Sequence, residues 1–297
     1  MKQVRPKKNL GQHFLTDLSI ARRIADTVDA CPGIPVLEIG PGMGVLTQFL
    51  IPKAREVAAI EIDRESVAYL TQHFQVTVEG VNPTTPNPSS QEEGTKMEDS
   101  SILKRSFSEG LLLFSGDFLR MDLRTLFDGR QFVLTGNYPY DISSQIFFKM
   151  LDNRDLIPCC TGMIQREVAL RLAAEPGTKA YGILSVLIQA WYDVEYLFTV
   201  EPSVFNPPPK VQSAVIRMMR NETADLGCDE ALFRRVVKTV FNQRRKMLRV
   251  SLRQILPAEA LALPNATLDS LLTLRPEHLT LQQFVDLTNC IQERLVL

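Results

Sequence analysis

The sequence predicts an α/β fold: a Rossmann-like doubly wound sheet, mostly parallel with a C-terminal antiparallel strand, followed by a small all-α domain. Three observations carry this. From residue 35 short apolar runs alternate with amphipathic stretches, two alternating runs joined by a proline-rich link come next, and beyond Arg220 only helical spacing remains.

Taken in order, PVLEIG, EVAAIEID, LLLFSGD, QFVLTGN and CCTGMIQ are near-continuous apolar runs, as strands covered on both faces require. Between them MGVLTQFLI, RESVAYLTQHF, ISSQIFFKMLDN and REVALRLAAE have the three- and four-residue apolar spacing of a helix with one buried face. DVEYLFTV and QSAVIRMM alternate like two strands, and the link between them, EPSVFNPPPK, is excluded from helix and central strand by its prolines. NETADLGCDE reads as a linker, after which ALFRRVVKTVFNQRRKMLRVSLRQIL and LTLQQFVDLTNCIQERLVL are helical. The domain boundary therefore falls at residue 221, between a domain of residues 1–220 and one of residues 221–297. Residues 79–101 break the pattern with three prolines, seven Ser or Thr and five acids, and read as a surface-loop insertion with no assigned role.

The chain has 297 residues, 45% of them hydrophobic, which fills an ordinary core and excludes disordered, collagen-like and disulfide-dense classes. Cys31, Cys159, Cys160, Cys228 and Cys290 form no C-x-x-C pair and only three histidines are present, so no structural zinc is expected. Neither a membrane-length apolar run nor a signal-peptide core is found, and the expectation is a cytoplasmic protein with reduced thiols. A net charge of −1 hides two basic clusters: Lys2, Arg5, Lys7 and Lys8 near the start, and eight bases without an acid over residues 231–253. Such local surfaces suit a polyphosphate partner, the plainer reading being two solvated faces.

The first chemical signal follows Val36–Ile39, where Gly40-Pro41-Gly42-Met43-Gly44 precedes a helical pattern. Glycines here permit a tight turn and a close ligand. Glu61 ends the next strand, 21 residues after Gly40, where a carboxylate can accept from two ribose hydroxyls. Asp63 is the better candidate for capping the following helix. Asp117 closes the third strand within Ser115-Gly116-Asp117-Phe118 and can accept from an exocyclic adenine amine, although turn aspartates are common. NAD and S-adenosylmethionine (SAM) both fit such a pocket. The early third glycine, giving G-x-G-x-G, favours SAM, and the fourth strand decides the matter.

That strand ends in Gly136-Asn137-Tyr138-Pro139-Tyr140. A ring amine is a poor nucleophile because its lone pair is delocalised. Two acceptors, the Asn137 side chain and the carbonyl beside Pro139, would hold both N–H bonds and favour a tetrahedral nitrogen while Tyr140 stacks on the ring. Phe205, on the stiff Ser203–Lys210 loop, is a candidate to sandwich the base opposite Tyr140, its plainer role being a plug under the prolines.

These residues resemble the ribosomal RNA adenine N6-dimethyltransferases of the small-subunit type. The matching segments are KKNLGQHFL (7–15), VLEIGPGMGVLT (36–47), EID (61–63), GD (116–117), NYPY (137–140), EPSVFNPPPKVQSAV (201–215) and NQRRKMLR (242–249), covering nearly the whole chain. The resemblance implies a SAM-dependent enzyme that dimethylates N6 of two adjacent adenosines in the 3′-terminal hairpin loop of small-subunit (16S) rRNA, within an immature 30S particle. It implies cofactor contacts from His13, Leu15, Gly40, Gly42, Glu61, Asp117 and Asn137. It implies that Asn137, Pro139 and Tyr140, with Phe205, hold the adenine.

Lys7, Lys8, Lys210, Arg244, Arg245, Lys246 and Arg249 are the expected RNA contacts, in a protein expected to be monomeric. Three departures stand out: His13 where the family often has Asn, Tyr138 for an aliphatic residue, and the 79–101 insertion. The alternatives are a large-subunit methyltransferase of the antibiotic-resistance type, against which the proline loop argues, and a NAD-dependent oxidoreductase, which has no need of Asn-Tyr-Pro-Tyr.

Overall fold

The computed structural model describes residues 4, 6–7, 11–53, 55–80 and 110–295. Its strands are β1 (Phe14–Leu15), β2 (Val36–Ile39), β3 (Val57–Glu61), β4 (Val76–Gly80), β5 (Leu111–Ser115), β6 (Val133–Thr135), β7 (Cys159–Gln165), β8 (Tyr192–Val200), β9 (Phe205–Asn206) and β10 (Ser213–Arg220). Eight of them form one sheet in the order β4-β5-β3-β2-β6-β7-β10-β8, while β1 and β9 pair separately. Neighbours from β4 to β7 run parallel. β10 lies antiparallel to both β7 and β8. This is the predicted α/β sheet, its single reversed strand at the C-terminal end.

Helices cover both faces. In the first part of the chain they are α1 (Leu18–Asp26), α2 (Thr47–Leu50), α3 (Arg64–His73), α4 (Ser143–Asp152), α5 (Arg166–Leu172) and α6 (Ile183–Gln189). Because strand side chains alternate, Leu37, Ile39, Ala58, Ile60, Leu134 and Cys160 feed one apolar core, and Val36, Val57, Ala59, Val133 and Cys159 feed the other. The free energy of burying these two layers is what orders the sheet.

The structure departs from the predicted elements in three places. The helix predicted over MGVLTQFLI is confined to α2, because Gly42 and Gly44 adopt φ of +56° and +75° and keep the preceding turn out of helix. β4 was not predicted: VTVEG adds an edge strand, Glu79 and Gly80 belong to its end, and the rest of the 79–101 insertion lies outside the described residues. Helices α1 and α6 were also not predicted. The first is opened by Asp17, whose carboxylate accepts from the amides of Ser19 and Ile20.

From residue 221 the described elements are all helical: α7 (Glu230–Asn242), α8 (Leu248–Ser251), α9 (Ala258–Leu261), α10 (Ala266–Leu272) and α11 (Leu281–Leu295), with short 3-10 turns. One core runs unbroken from the sheet into these helices, through Tyr181 against Phe241 (ring centroids 6.0 Å apart) and Phe241 against Phe284 (5.8 Å). Arg154 pairs with Glu230 at 2.8 Å while lying over the Trp191 ring, and Arg234 reaches Asp152 at 2.6 Å. Among the described residues no helix is long and apolar enough to cross a membrane.

The strand order reverses beside β2, which has β3 on one side and β6 on the other, so a crevice opens at their carboxyl ends. Next to it, β7 and β6 approach closely. A Cβ on Gly162 would lie 2.3 Å from the Gly136 carbonyl oxygen and 2.8 Å from the Tyr138 ring. Gly162→Ala is therefore expected to cost about 1–3 kcal/mol by overpacking, read as a melting temperature lowered by several degrees; an unchanged midpoint would refute the close approach.

Candidate active site

One pocket occupies the crevice, lined by the glycine turn after β2, the ends of β3, β5 and β6, and the N-terminal segment Gly11–Phe14. It gathers His13, Gly40, Gly42, Glu61, Asp117, Asn137, Pro139 and Tyr140, eight of the ten residues expected to touch cofactor or base. Each arrives at the carboxyl end of a parallel strand or on the segment that crosses those ends.

Two expected residues are not brought into it. Leu15 is buried in the core beneath α1, because in a strand its side chain points opposite to that of Phe14, and Phe14 takes the lining position. Phe205 pairs with Leu15 across β1 and β9 and is only 4% exposed, packed in the same core. The plug reading of this side chain, not the sandwich, describes its surroundings. The ring that stacks on Tyr140 is His13, at 5.5 Å between centroids and 29° between planes.

The N-terminal segment is fastened at several points. His13 Nδ1 lies 2.8 Å from the Pro207 carbonyl oxygen, and Asn137 Nδ2 donates to the His13 carbonyl at 3.0 Å. Thr16 donates both its amide and its hydroxyl to the Val204 carbonyl, each at 2.8 Å. Phe14 rests against the bare backbone of Gly42, where a Cβ would approach its ring to 3.0 Å. Tyr140 is held from behind by a 2.5 Å hydroxyl contact with the buried Ser213. Tyr138 fits its place without opening the site: it is buried above Gly162 and donates to the Thr161 carbonyl at 2.8 Å.

Electrostatically the pocket floor is acidic and buried. Glu61 is 3% exposed, and accepts from the Gly42 amide at 3.1 Å and the Asp63 amide at 2.8 Å. Burial raises its pKa against the pull of those amides. Beneath the glycine turn Glu38 is wholly buried, its Oε2 accepting from the Thr47 hydroxyl at 2.6 Å, and burial pushes its carboxyl up to about 8. Asp63 caps α3 as expected, accepting from the Glu65 amide at 3.1 Å. Asp117 both caps a turn, accepting from the Leu119 amide at 2.9 Å, and lines the pocket, so its two readings are compatible. The exposed Ile62, 52% accessible, lines the same cavity beside Phe118 and Leu119. It was missed in the sequence because an apolar residue between two acids looks like strand core, whereas the strand ends one residue earlier.

The expected RNA contacts divide. Lys7 is engaged by Asp63 at 2.5 Å and Glu65 at 3.4 Å, and Arg244 by Glu277 at 2.7 Å and the Thr178 carbonyl at 3.1 Å, so these two brace the fold and are not free cations. Lys210, Arg245, Lys246 and Arg249 are exposed. Lys8 lies outside the described residues.

The residues at the pocket fit an adenosine-bearing cofactor on the chemistry of the donor set and on the cradle left by Gly40 and Gly42. The pocket offers one buried and one half-buried carboxylate as acceptors for hydroxyl or amine donors, with apolar side chains between them. They do not fit a pyrophosphate, since the Gly42 amide that would cradle it is already bound to the Glu61 carboxylate.

A group whose folded pKa is raised by burial gives full stability while protonated in both states and loses it as pH climbs from its unfolded value, 4.5, toward about 8. The stability of the wild type, measured by denaturant unfolding between pH 5 and 8, is thus expected to fall as pH rises, Glu38 contributing up to about 1.4 kcal/mol per pH unit. Glu38→Gln should flatten that slope; an identical slope in the variant would contradict the neutral carboxyl.

The profile of the ribosomal RNA adenine dimethylase family matches residues 3–293. The ribosomal RNA small subunit methyltransferase A of Bacteroides fragilis is 58% identical over 295 residues, 99% of this chain and 95% of that protein. The protein of the same name from Bacteroides thetaiotaomicron is 58% identical over 99% of this chain and 97% of its own length. Among solved structures, a dimethyladenosine transferase from Plasmodium falciparum shares the fold with a TM-score of 0.70 at 24% identity, over 95% of this chain and 98% of that one. The chain belongs to the ribosomal RNA adenine dimethylase family.

Proposed function

We propose that the protein transfers methyl groups from SAM to N6 of two adjacent adenosines in the 3′-terminal hairpin loop of small-subunit rRNA, acting as a monomer in the cytoplasm on an immature 30S particle. One observation carries the reading. Asn137 Nδ2 is committed to the His13 carbonyl, which leaves Oδ1 as the acceptor at the pocket beside Pro139 and Tyr140. When bound, SAM supplies a methyl group on a sulfonium that an amine can attack.

Everything else is the work of the chain. Asn137 Oδ1 and the carbonyl beside Pro139 accept the two N–H bonds of the adenine amine, so its lone pair is directed out of the ring plane. Tyr140, fixed by Ser213 and by His13, offers the flat surface on which the base stacks. Phe205 supports the loop whose Pro207 carbonyl holds the His13 ring. Glu61 receives the ribose, Asp117 the cofactor's adenine amine, and Ile62 and Leu119 its ring faces. No strong base is required, because the transferred proton becomes acidic only after the nitrogen is alkylated and passes to water. The Gly42–Glu61 contact disfavours the dinucleotide reading.

Residues 221–297 serve as the RNA-binding domain in this proposal, with residues 1–220 as the catalytic one. Arg245, Lys246 and Arg249, exposed together with Met247 and Val250, meet the phosphates, and Lys210 meets them from the proline loop. The adenosine is then turned out of its loop into the crevice.

Asn137→Ala is expected to lower methyl transfer to unmethylated small subunits by about a hundredfold or more; transfer at the wild-type rate would remove Asn137 from the mechanism. Affinity for small-subunit rRNA should fall about tenfold to a hundredfold between roughly 50 and 200 mM salt. Charge reversal of Arg245, Lys246 and Arg249 should reduce that dependence without altering SAM affinity, and a salt-independent affinity would rule out the phosphate contacts.

A further inference from the structure

Lys149 belongs to none of the surfaces above, and its position is unusual for a lysine. It lies in the last turn of α4, half-buried, with its stem running under the short 3-10 turn Phe118–Arg120 that follows Asp117. Its ammonium donates to the Leu119 carbonyl at 3.0 Å and to the Met121 carbonyl, and sits 5.2 Å from the centroid of the buried Phe118 ring.

The carbonyls at the end of a helical turn carry partial negative charge and lack partners within the turn. A cation donating to two of them draws the turn toward α4. Burial lowers the pKa of this amine, while Asp117 and Asp122 are close enough to favour its charged form. A half-buried ammonium keeps its charge only where its partners compensate the hydration it has given up. Here those partners are the backbone of the pocket wall.

That wall is the part of the crevice that faces the nucleoside. Asp117, Phe118 and Leu119 line the pocket from the front, and Lys149 grips the same segment from the back, where a second, shallower depression is lined by Leu119, Met121 and Lys149. Leu119 is thus shared by both sides, its side chain at the pocket and its carbonyl on the ammonium. From this geometry we infer that Lys149 is a positioning residue for the adenine end of the cofactor: it sets the depth of the Asp117–Leu119 wall and thereby the fit of an adenine nucleoside. The inference rests on the SAM reading of the pocket. It makes no claim on the target base or the RNA, since Lys149 contacts neither Asn137 nor the exposed basic residues.

The test compares wild type, Lys149→Met, which keeps the stem and removes the donors, and Lys149→Arg, which keeps charge and donors. Calorimetric binding of SAM and of free adenosine is measured with steady-state methylation of unmethylated small subunits. Lys149→Met is expected to bind both ligands about tenfold more weakly, the size of one lost charge-assisted contact. Its KM for SAM should rise by the same factor, with kcat at saturating SAM and KM for the particle within about twofold of wild type. Lys149→Arg should recover most of the loss.

Unaltered binding of SAM and adenosine by Lys149→Met overturns the inference. So does a loss spread equally over kcat and both KM values, which is what loosened packing would give, or a loss that Lys149→Arg does not recover although its melting temperature matches wild type. The wild-type arm keeps the two claims apart. A wild type that takes up no SAM defeats the reading of the pocket, whereas a wild type that binds beside an unaffected Lys149→Met defeats only the role of Lys149.

Discussion

The site depends on how closely three backbones meet at the carboxyl ends of β2, β6 and β7. The Gly136 carbonyl accepts from the Met163 amide at 2.9 Å, Tyr138 returns a bond of 2.9 Å to the Met163 carbonyl, and Gly162 leaves the space that lets them do so. This pairing continues β6 past its regular end through an isolated bridge between Asn137 and Met163. Asn137 is therefore held by main-chain bonds on a rigid ladder, not on a free loop. A side chain on such a support keeps its orientation with little entropy left to lose. The acceptor role assigned to Asn137 needs that rigidity, because aligning an amine lone pair is a matter of fractions of an ångström.

Around this frame the buried polar groups are arranged so that each carboxyl has a defined partner. Glu61 takes amides from the turn and from its own strand end, and Glu38 takes a hydroxyl from α2. The Glu61 carboxylate is near enough to disfavour ionisation of Glu38, and keeping Glu38 neutral avoids a second buried charge under the glycine turn. On the far side of the pocket a lysine is used against backbone carbonyls in the complementary way. Cofactor binding is thus prepared by groups that satisfy one another before any ligand arrives.

Most of the fold was readable from the sequence because its signals are local: apolar runs for β2, β3, β5, β6 and β7, and helical spacing for α3, α4 and α5. What escaped was weak by the same measure. β4 is a five-residue edge strand that runs into a polar stretch, and α2 was shortened by two left-handed glycines. At the site, residues fixed by motif position, such as Glu61, Asp117 and Asn137, fell where expected. Leu15 and Phe205 did not, since which way a two-residue strand turns its side chains is set by its partner strand, and that pairing spans most of the chain. Lys7 and Arg244 looked like free cations for a related reason, as their acids lie 56 and 33 residues away.

The pairing of β1 with β9 bears on the order in which the molecule is made. His13 is joined to Pro207 across 194 residues, and Thr16 to Val204 across 188. A ribosome delivers residue 13 early and residue 207 only after more than two-thirds of the chain has been synthesised. Until then the N-terminal segment lacks its anchors on the proline-rich loop. The cleft of a growing polypeptide is therefore completed only late in its own translation.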